Sequence, residues 1–169
     1  MRALVAALGE SANLAVLRPH GEAGLEAAYV YQVEGPQLVR MFTRVGASAP
    51  LHASGVGKVL LAPRDPAEVR AALSAVTLTP FTPHTLTSPD AVLAALERVR
   101  EQGFALDDQE RELGVRCVAV PVRGAGGEVA AALSVSAPTS RLTPGDVPRF
   151  LAAAQAAAAR IGARLGWTG

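Results

Sequence analysis

RCVAVPVRGAGGEVAAALSVSA, residues 116–137, holds two β-rich runs on either side of Gly126-Gly127. A Gly-Gly pair suits a two-residue primed turn, because both central positions of that turn take positive φ. With the turn there, Cys117 faces Ser136, Ala119 faces Ser134 and Pro121 faces Ala132. Side chains alternate across a sheet, so these six share one face. Val118, Val120, Val122, Ala131, Leu133 and Val135 share the other. The second face is apolar and fits a surface buried under a helix. The first is small and polar, with a thiol, two hydroxyls and no bulky side chain. Such a face is either covered closely by a helix or left concave as the floor of a small-molecule pocket, and the alternation leaves both open.

The rest of the chain fits around that hairpin. Residues 2–9 read as the end of a helix with Leu4, Val5 and Leu8 on one side. β-like segments at 12–17, 24–33 and 37–43 follow, separated by Pro19, Gly21 and Gly35-Pro36, which predicts an antiparallel meander. Tyr29 and Tyr31 share a face of the second segment. Three helix starts have a capping side chain just before a proline: Asp65-Pro66, Ser88-Pro89 and Thr143-Pro144. The second of these helices stops at Gly103, with strand-like 104–108 after it. The last spans about 144–166, alanine-rich, with Phe150, Leu151, Ile161 and Leu165 as its apolar positions. A strand meander, helices and a second strand group predict an α+β fold, one antiparallel sheet with helices packed on it.

Composition narrows the function. The chain's 169 residues fit one domain, and half of them are hydrophobic. Sixteen basic against fifteen acidic residues give a net charge of +1, without the phosphate-neutralising surplus of a DNA-binding module. The one cysteine, Cys117, excludes a disulfide framework and a multi-thiolate metal site. No apolar run approaches the roughly 18 residues of a membrane span, and no signal peptide is visible, so a soluble cytoplasmic domain is expected.

HASGVGK, residues 52–58, complements the polar hairpin face. Ser54 can cap a helix whose first turn holds Gly55, Val56 and Gly57, and early amides of that kind lack intrahelical partners and can coordinate a carboxylate. An ordinary capped helix gives the same pattern. The GxGK fragment is not a phosphate loop, since Val59 follows Lys58, and Lys58 reads as a solvated helix side chain.

These segments together resemble the effector-binding domain of the IclR family of bacterial transcription regulators. The likeness extends along nearly the whole chain, through RMFTRVGASAPLHASGVGKVLLA (40–62), FTPHTLTSP (81–89), GFALDDQERELGVRCVAVPV (103–122) and GEVAAALSVSAPTSRLT (127–143). It implies a GAF-like α+β fold that binds a small organic or aromatic acid and takes no cofactor. An Asp, a Cys and two Ser side chains, here Asp107, Cys117, Ser134 and Ser136, would line the pocket with backbone amides from Ser54, Gly55, Val56 and Gly57, and Leu51 and Met41 would be wall residues. It also implies homodimers or homotetramers, and DNA binding only through an N-terminal winged helix-turn-helix domain that these residues do not include. Residues 1–11 would then be the end of the linker helix and residues 12–169 the effector-binding domain. A stand-alone sensor or oligomerisation module is the alternative.

Two sharper chemistries are weaker. Cys117 as nucleophile with His52 as base and Asp107 as orienter would need an electropositive site, whereas Cys117 sits mid-strand among Val and Ala. A metal site from Asp107, Cys117 and one of His20, His52 or His84 has no ligand spacing such as HxH or CxxC. Arg116, next to Cys117 and on the opposite face, reads as structural.

Overall fold

A computed structural model describes residues 1–20 and 24–169. The turn expected at Gly21 lies outside the described residues. Six strands form one antiparallel sheet in the order β3-β2-β1-β6-β5-β4: β1 Ser11–His20, β2 Gly24–Val33, β3 Ser48–Ala49, β4 Ala105–Asp108, β5 Val115–Arg123 and β6 Val129–Pro138. Two meanders, one from each half of the chain, meet where β1 pairs with β6. The helices are α1 Arg2–Leu8, α2 Gly55–Leu61, α3 Pro66–Ser74, α4 Pro89–Gln102 and α5 Val147–Arg164. This is the α+β arrangement expected.

The helix boundaries follow their caps. Asp65 accepts from the amides of Ala67 and Glu68, Ser88 from that of Ala91, and Gly103 ends α4 at φ 78°. Thr143 and Asp146 bond reciprocally around the 3₁₀ turn Pro144–Asp146 that leads into α5. α5 stops at Arg164, so Leu165 lies beyond it and is half exposed.

The sheet separates two cores. On one side α1 and α5 cover Val118, Val120, Val122, Leu133 and Val135, all at most 1% exposed, with Phe150, Ala154 and Ala157 against them. On the other side α2, α3 and α4 pack over Ala15, Ala27, Ala105, Ala119 and Ala132.

The hairpin pairs as expected, Cys117 with Ser136, Ala119 with Ser134 and Pro121 with Ala132, but its turn differs. The Gly127 amide donates to Gly124 O, closing a turn in which Gly127 alone of the Gly-Gly pair has positive φ. That turn is centred one position earlier along the register. Ala130 then bulges out between the pairs Val122–Ala131 and Arg123–Val129, and the extra residue restores the register beyond it.

Two strand expectations are corrected. Residues 37–43 are not a strand; β2 instead finds its outer neighbour in Ser48–Ala49, and Leu38 and Val39 stand exposed. Tyr29 and Tyr31 do not share a face, because Val30 is an extra residue between the pairs Ala15–Tyr29 and Leu14–Tyr31. The bulge turns Tyr29 toward the α2 side and leaves Tyr31 44% exposed.

Candidate functional site

Register alone lines up a polar row across four strands: Asp107 beside Cys117, Cys117 beside Ser136, Ser136 beside Ser11. Ala119, Ser134 and Asn13 form the adjacent row. α2 covers part of this face, and its fit depends on small residues, since a Cβ on Gly55 would stand 3.0 Å from that of Ala119. Over Cys117, Ser134 and Ser136 the face stays open. Both readings of the polar hairpin face therefore apply, each to a different part of it.

The open part is the floor of a cavity of about 430 Å³. Asp107 and the first turn of α2, at Ser54, Gly55 and Val56, form one wall, and Tyr29 from β2 and Met41 from the segment after it line the cavity as well. Of the ten residues singled out from the sequence, eight line this cavity; Gly57 and Leu51 do not. The Gly57 amide is spent on the cap, donating to Ser54 Oγ at 3.1 Å, and its α-carbon lies against the backbone of Leu51. Leu51 itself packs on the core and lines a second cavity, of about 220 Å³, with His52 and Phe81.

Apart from Met41, the rim was not foreseen. Residues 41–44 reach the cavity because Thr43 Oγ1 donates to Asn13 Oδ1 at 2.5 Å and the Gly35 amide donates to Ser11 Oγ at 3.0 Å. The edge of the polar rows thus holds the segment down. Arg111 lines the other rim with its guanidinium 3.9 Å from the centre of the Phe81 ring. Tyr29 owes its place to the Val30 bulge, and burial pushes its phenol upward from the ordinary value. Alternation over 24–33 shows none of this.

Asp107 is 3% exposed. Burial raises its carboxyl to about 6, and the nearby Glu110 charge pushes the same way. The Glu110 amide, donating to Oδ1 at 2.8 Å, and the Lys58 ammonium pull it back down. Lys58 is the clearest correction to the sequence reading. It is not solvated: its ammonium donates to Leu106 O at 2.6 Å and pairs with Glu110, with 4% of the side chain exposed. Arg116 is structural as expected, bonded to Asp108 and Leu142 O on the far face.

The chemistry of the site favours binding over catalysis. Burial, and then the Asp107 charge, raise the Cys117 thiol, so it is held as the neutral thiol. His52 Nε2 lies 3.1 Å from Thr79 O and its ring stacks on Phe81 beside the second cavity, away from Cys117 and Asp107. Among the described residues no group of three His, Cys, Asp or Glu side chains is placed to hold a metal ion, and no helix is long and apolar enough to cross a membrane.

The chain is similar to known proteins along nearly its whole length. Residues 1–163 match the family model described as bacterial transcriptional regulator IclR C-terminal. The chain is 40% identical over 159 residues to the HTH-type transcriptional regulator XynR of Escherichia coli K12, covering 94% of this chain and 61% of that protein. It is 41% identical over 143 residues to BhcR of Paracoccus denitrificans, covering 85% of this chain and 50% of that one. The chain thus spans about half to three-fifths of the length of such relatives. The crystal structure of the C-terminal domain of E. coli KdgR superposes with a TM-score of 0.85 at 36% identity, covering 99% of this chain and 94% of that one. A double mutant of the PobR inducer-binding domain from Acinetobacter, in complex with 3-hydroxybenzoic acid, gives 0.81 at 29% identity, covering 94% and 91%. These proteins are named regulators, and the reading of Cys117 as an enzyme nucleophile is set aside.

Proposed function

Because this chain belongs to the IclR family of bacterial transcriptional regulators, whose C-terminal domain it matches, we propose that its cavity binds a small carboxylate-bearing effector. The observation that carries this reading is the convergence, in one cavity, of Asp107, Cys117, Ser134 and Ser136 with the start of α2. The effector carboxylate sits on the amides of Gly55 and Val56, the two of that turn not taken by the Ser54 cap. Ser134, Ser136 and the Cys117 thiol hydrogen-bond its remaining polar atoms, and Met41 and Tyr29 close on its carbon skeleton. An ionised Asp107 would repel a carboxylate, so it accepts from an effector hydroxyl or binds as the neutral acid. The 3-hydroxybenzoic acid held by the PobR domain, an acid that also carries a hydroxyl, supports that pairing of groups.

In the whole cytoplasmic regulator, α1 is the end of the linker helix. Effector binding changes the arrangement of a homodimer or homotetramer, and residues 1–11 report the change to a winged helix-turn-helix that contacts DNA. Linkage demands that the effector bind the two arrangements with different affinity.

A thermal-shift screen of the domain against 2-oxo, 2-hydroxy and aromatic acids tests the reading. An acid at 100 times its Kd adds about 2.7 kcal/mol of stability. The expected result is a stabilising acid whose effect vanishes in Ser134→Val/Ser136→Val. A hit that survives the double substitution removes the hairpin face from the site.

A further inference from the structure

We propose that Lys58 is a positioning residue for the effector site: it stands behind the cavity wall and fixes the Asp107 carboxylate in register with the first turn of α2. The inference rests on the effector reading above and assigns a task to a side chain that touches no ligand.

Lys58 lies on α2, seven residues long, whose start lines the cavity. A helix that short has little stability of its own and takes its position from what it packs against. Lys58 reaches from it to β4, donating to the carbonyl of Leu106, the residue before Asp107. It also pairs with Glu110, whose amide donates to Asp107 Oδ1. One ammonium therefore grips the chain on both sides of Asp107. Thr82 Oγ1 and Thr85 Oγ1 hold the same turn from its other side, through Gln109 O at 2.7 Å and Glu110 O at 2.6 Å.

Stability is a poor reason for this pair. Only 4% of the Lys58 side chain and 12% of the Glu110 side chain are exposed, so both ions lose most of their water. Glu110 Oε2 is buried with no hydrogen-bond partner, which adds to the penalty. Buried pairs of this kind are often replaced by packed apolar residues without loss of stability. What an apolar pair cannot reproduce is the directed bond to Leu106 O, nor the charge felt at Asp107. The groups facing that carboxyl are Lys58 from α2, Glu110 and Arg111 from the turn, Cys117 from β5 and Tyr29 from β2. Among them, Lys58 and Glu110 act on it with opposite sign.

The test separates position from stability. Lys58→Met/Glu110→Leu should melt within a few degrees of the wild-type domain, while calorimetry with glycolate and with 3-hydroxybenzoate shows at least tenfold weaker binding of whichever acid the wild type takes. On the unliganded domain, carbon-13 titration of the Asp107 carboxyl should move up in Lys58→Met and down in Glu110→Gln. A double variant that binds like wild type overturns the proposal, as do single variants that leave the Asp107 titration in place or move it the same way. If wild type binds neither acid, the choice of effector class fails, and the titration still decides whether Lys58 sets the state of Asp107.

Discussion

The two faces of the β5–β6 hairpin come from the same residues in alternation, and they do opposite work. The α5 face is a jigsaw of Val118, Val120, Val122, Leu133 and Val135 against Phe150 and three alanines, with almost no exposed surface. The cavity face carries Cys117, Ser134 and Ser136, side chains too short to fill the space above them, and a helix covers only the part where Ala119 lies. Packing density holds the fold, and its local absence makes room for a ligand. Stability and binding should therefore respond to different substitutions.

The largest expected effect is on the packed face. Phe150→Ala should cost about 3–5 kcal/mol, read as a fall in the chemical-denaturation midpoint, since Phe150 is 1% exposed in the α5 core. A loss below about 1 kcal/mol would mean that α5 is not what stabilises the sheet. Gly57→Ala comes next. Its Cβ would meet the Leu51 backbone at 2.5–2.8 Å, so about 1–3 kcal/mol of overpacking is expected although no Gly57 atom lines the cavity.

The cavity face should behave in reverse. Ser134→Val/Ser136→Val should change stability by less than about 1 kcal/mol, because both side chains line the cavity and are not interlocked with a covering helix, and should abolish the thermal shift of an effector acid. A large destabilisation would show that the hydroxyls hold the sheet instead of a ligand.

The most gradual effect is a slope with pH. The Asp107 carboxyl, raised to about 6 in the folded protein from an ordinary 3.8, is protonated more readily folded than unfolded. Its contribution is fully present below about pH 4 and is lost as pH rises through 6. Melting temperature should thus fall with pH across that window, and Asp107→Asn should flatten the fall. Carboxylate binding should weaken over the same range in wild type.

What the sequence revealed follows from how local each feature is. Alternation and a Gly-Gly turn are local, so the hairpin pairs are right. They are right through two offsets that cancel, a turn centred one position early and the Ala130 bulge. The helix starts were legible because a cap is a matter of three or four neighbouring residues, as at Ser54 and Ser88. Residues 37–43 look like a strand in isolation, yet the edge of β2 is taken by Ser48–Ala49, and whether a partner edge is free is not a local property. Tyr29, Arg111 and Met41 reach one cavity from distant parts of the chain, and of these only Met41 was foreseen, through the family resemblance. Lys58 was misread because a lysine in a helix usually meets water; nothing in 52–58 reveals a carbonyl waiting on β4 and a carboxylate on the turn after it.

The junction of the two meanders has a consequence for how the protein is made. Ser11 pairs with Ser136, so the first strand waits for the last before the sheet can close. Contacts between strands far apart in sequence form slowly, because a long loop must be ordered before they are rewarded. On the ribosome β1 and β2 emerge before the strand bearing Ser134 and Ser136. The pocket floor is thus incomplete until β6 has emerged, and no effector can occupy the site before then to help β1 and β2 fold.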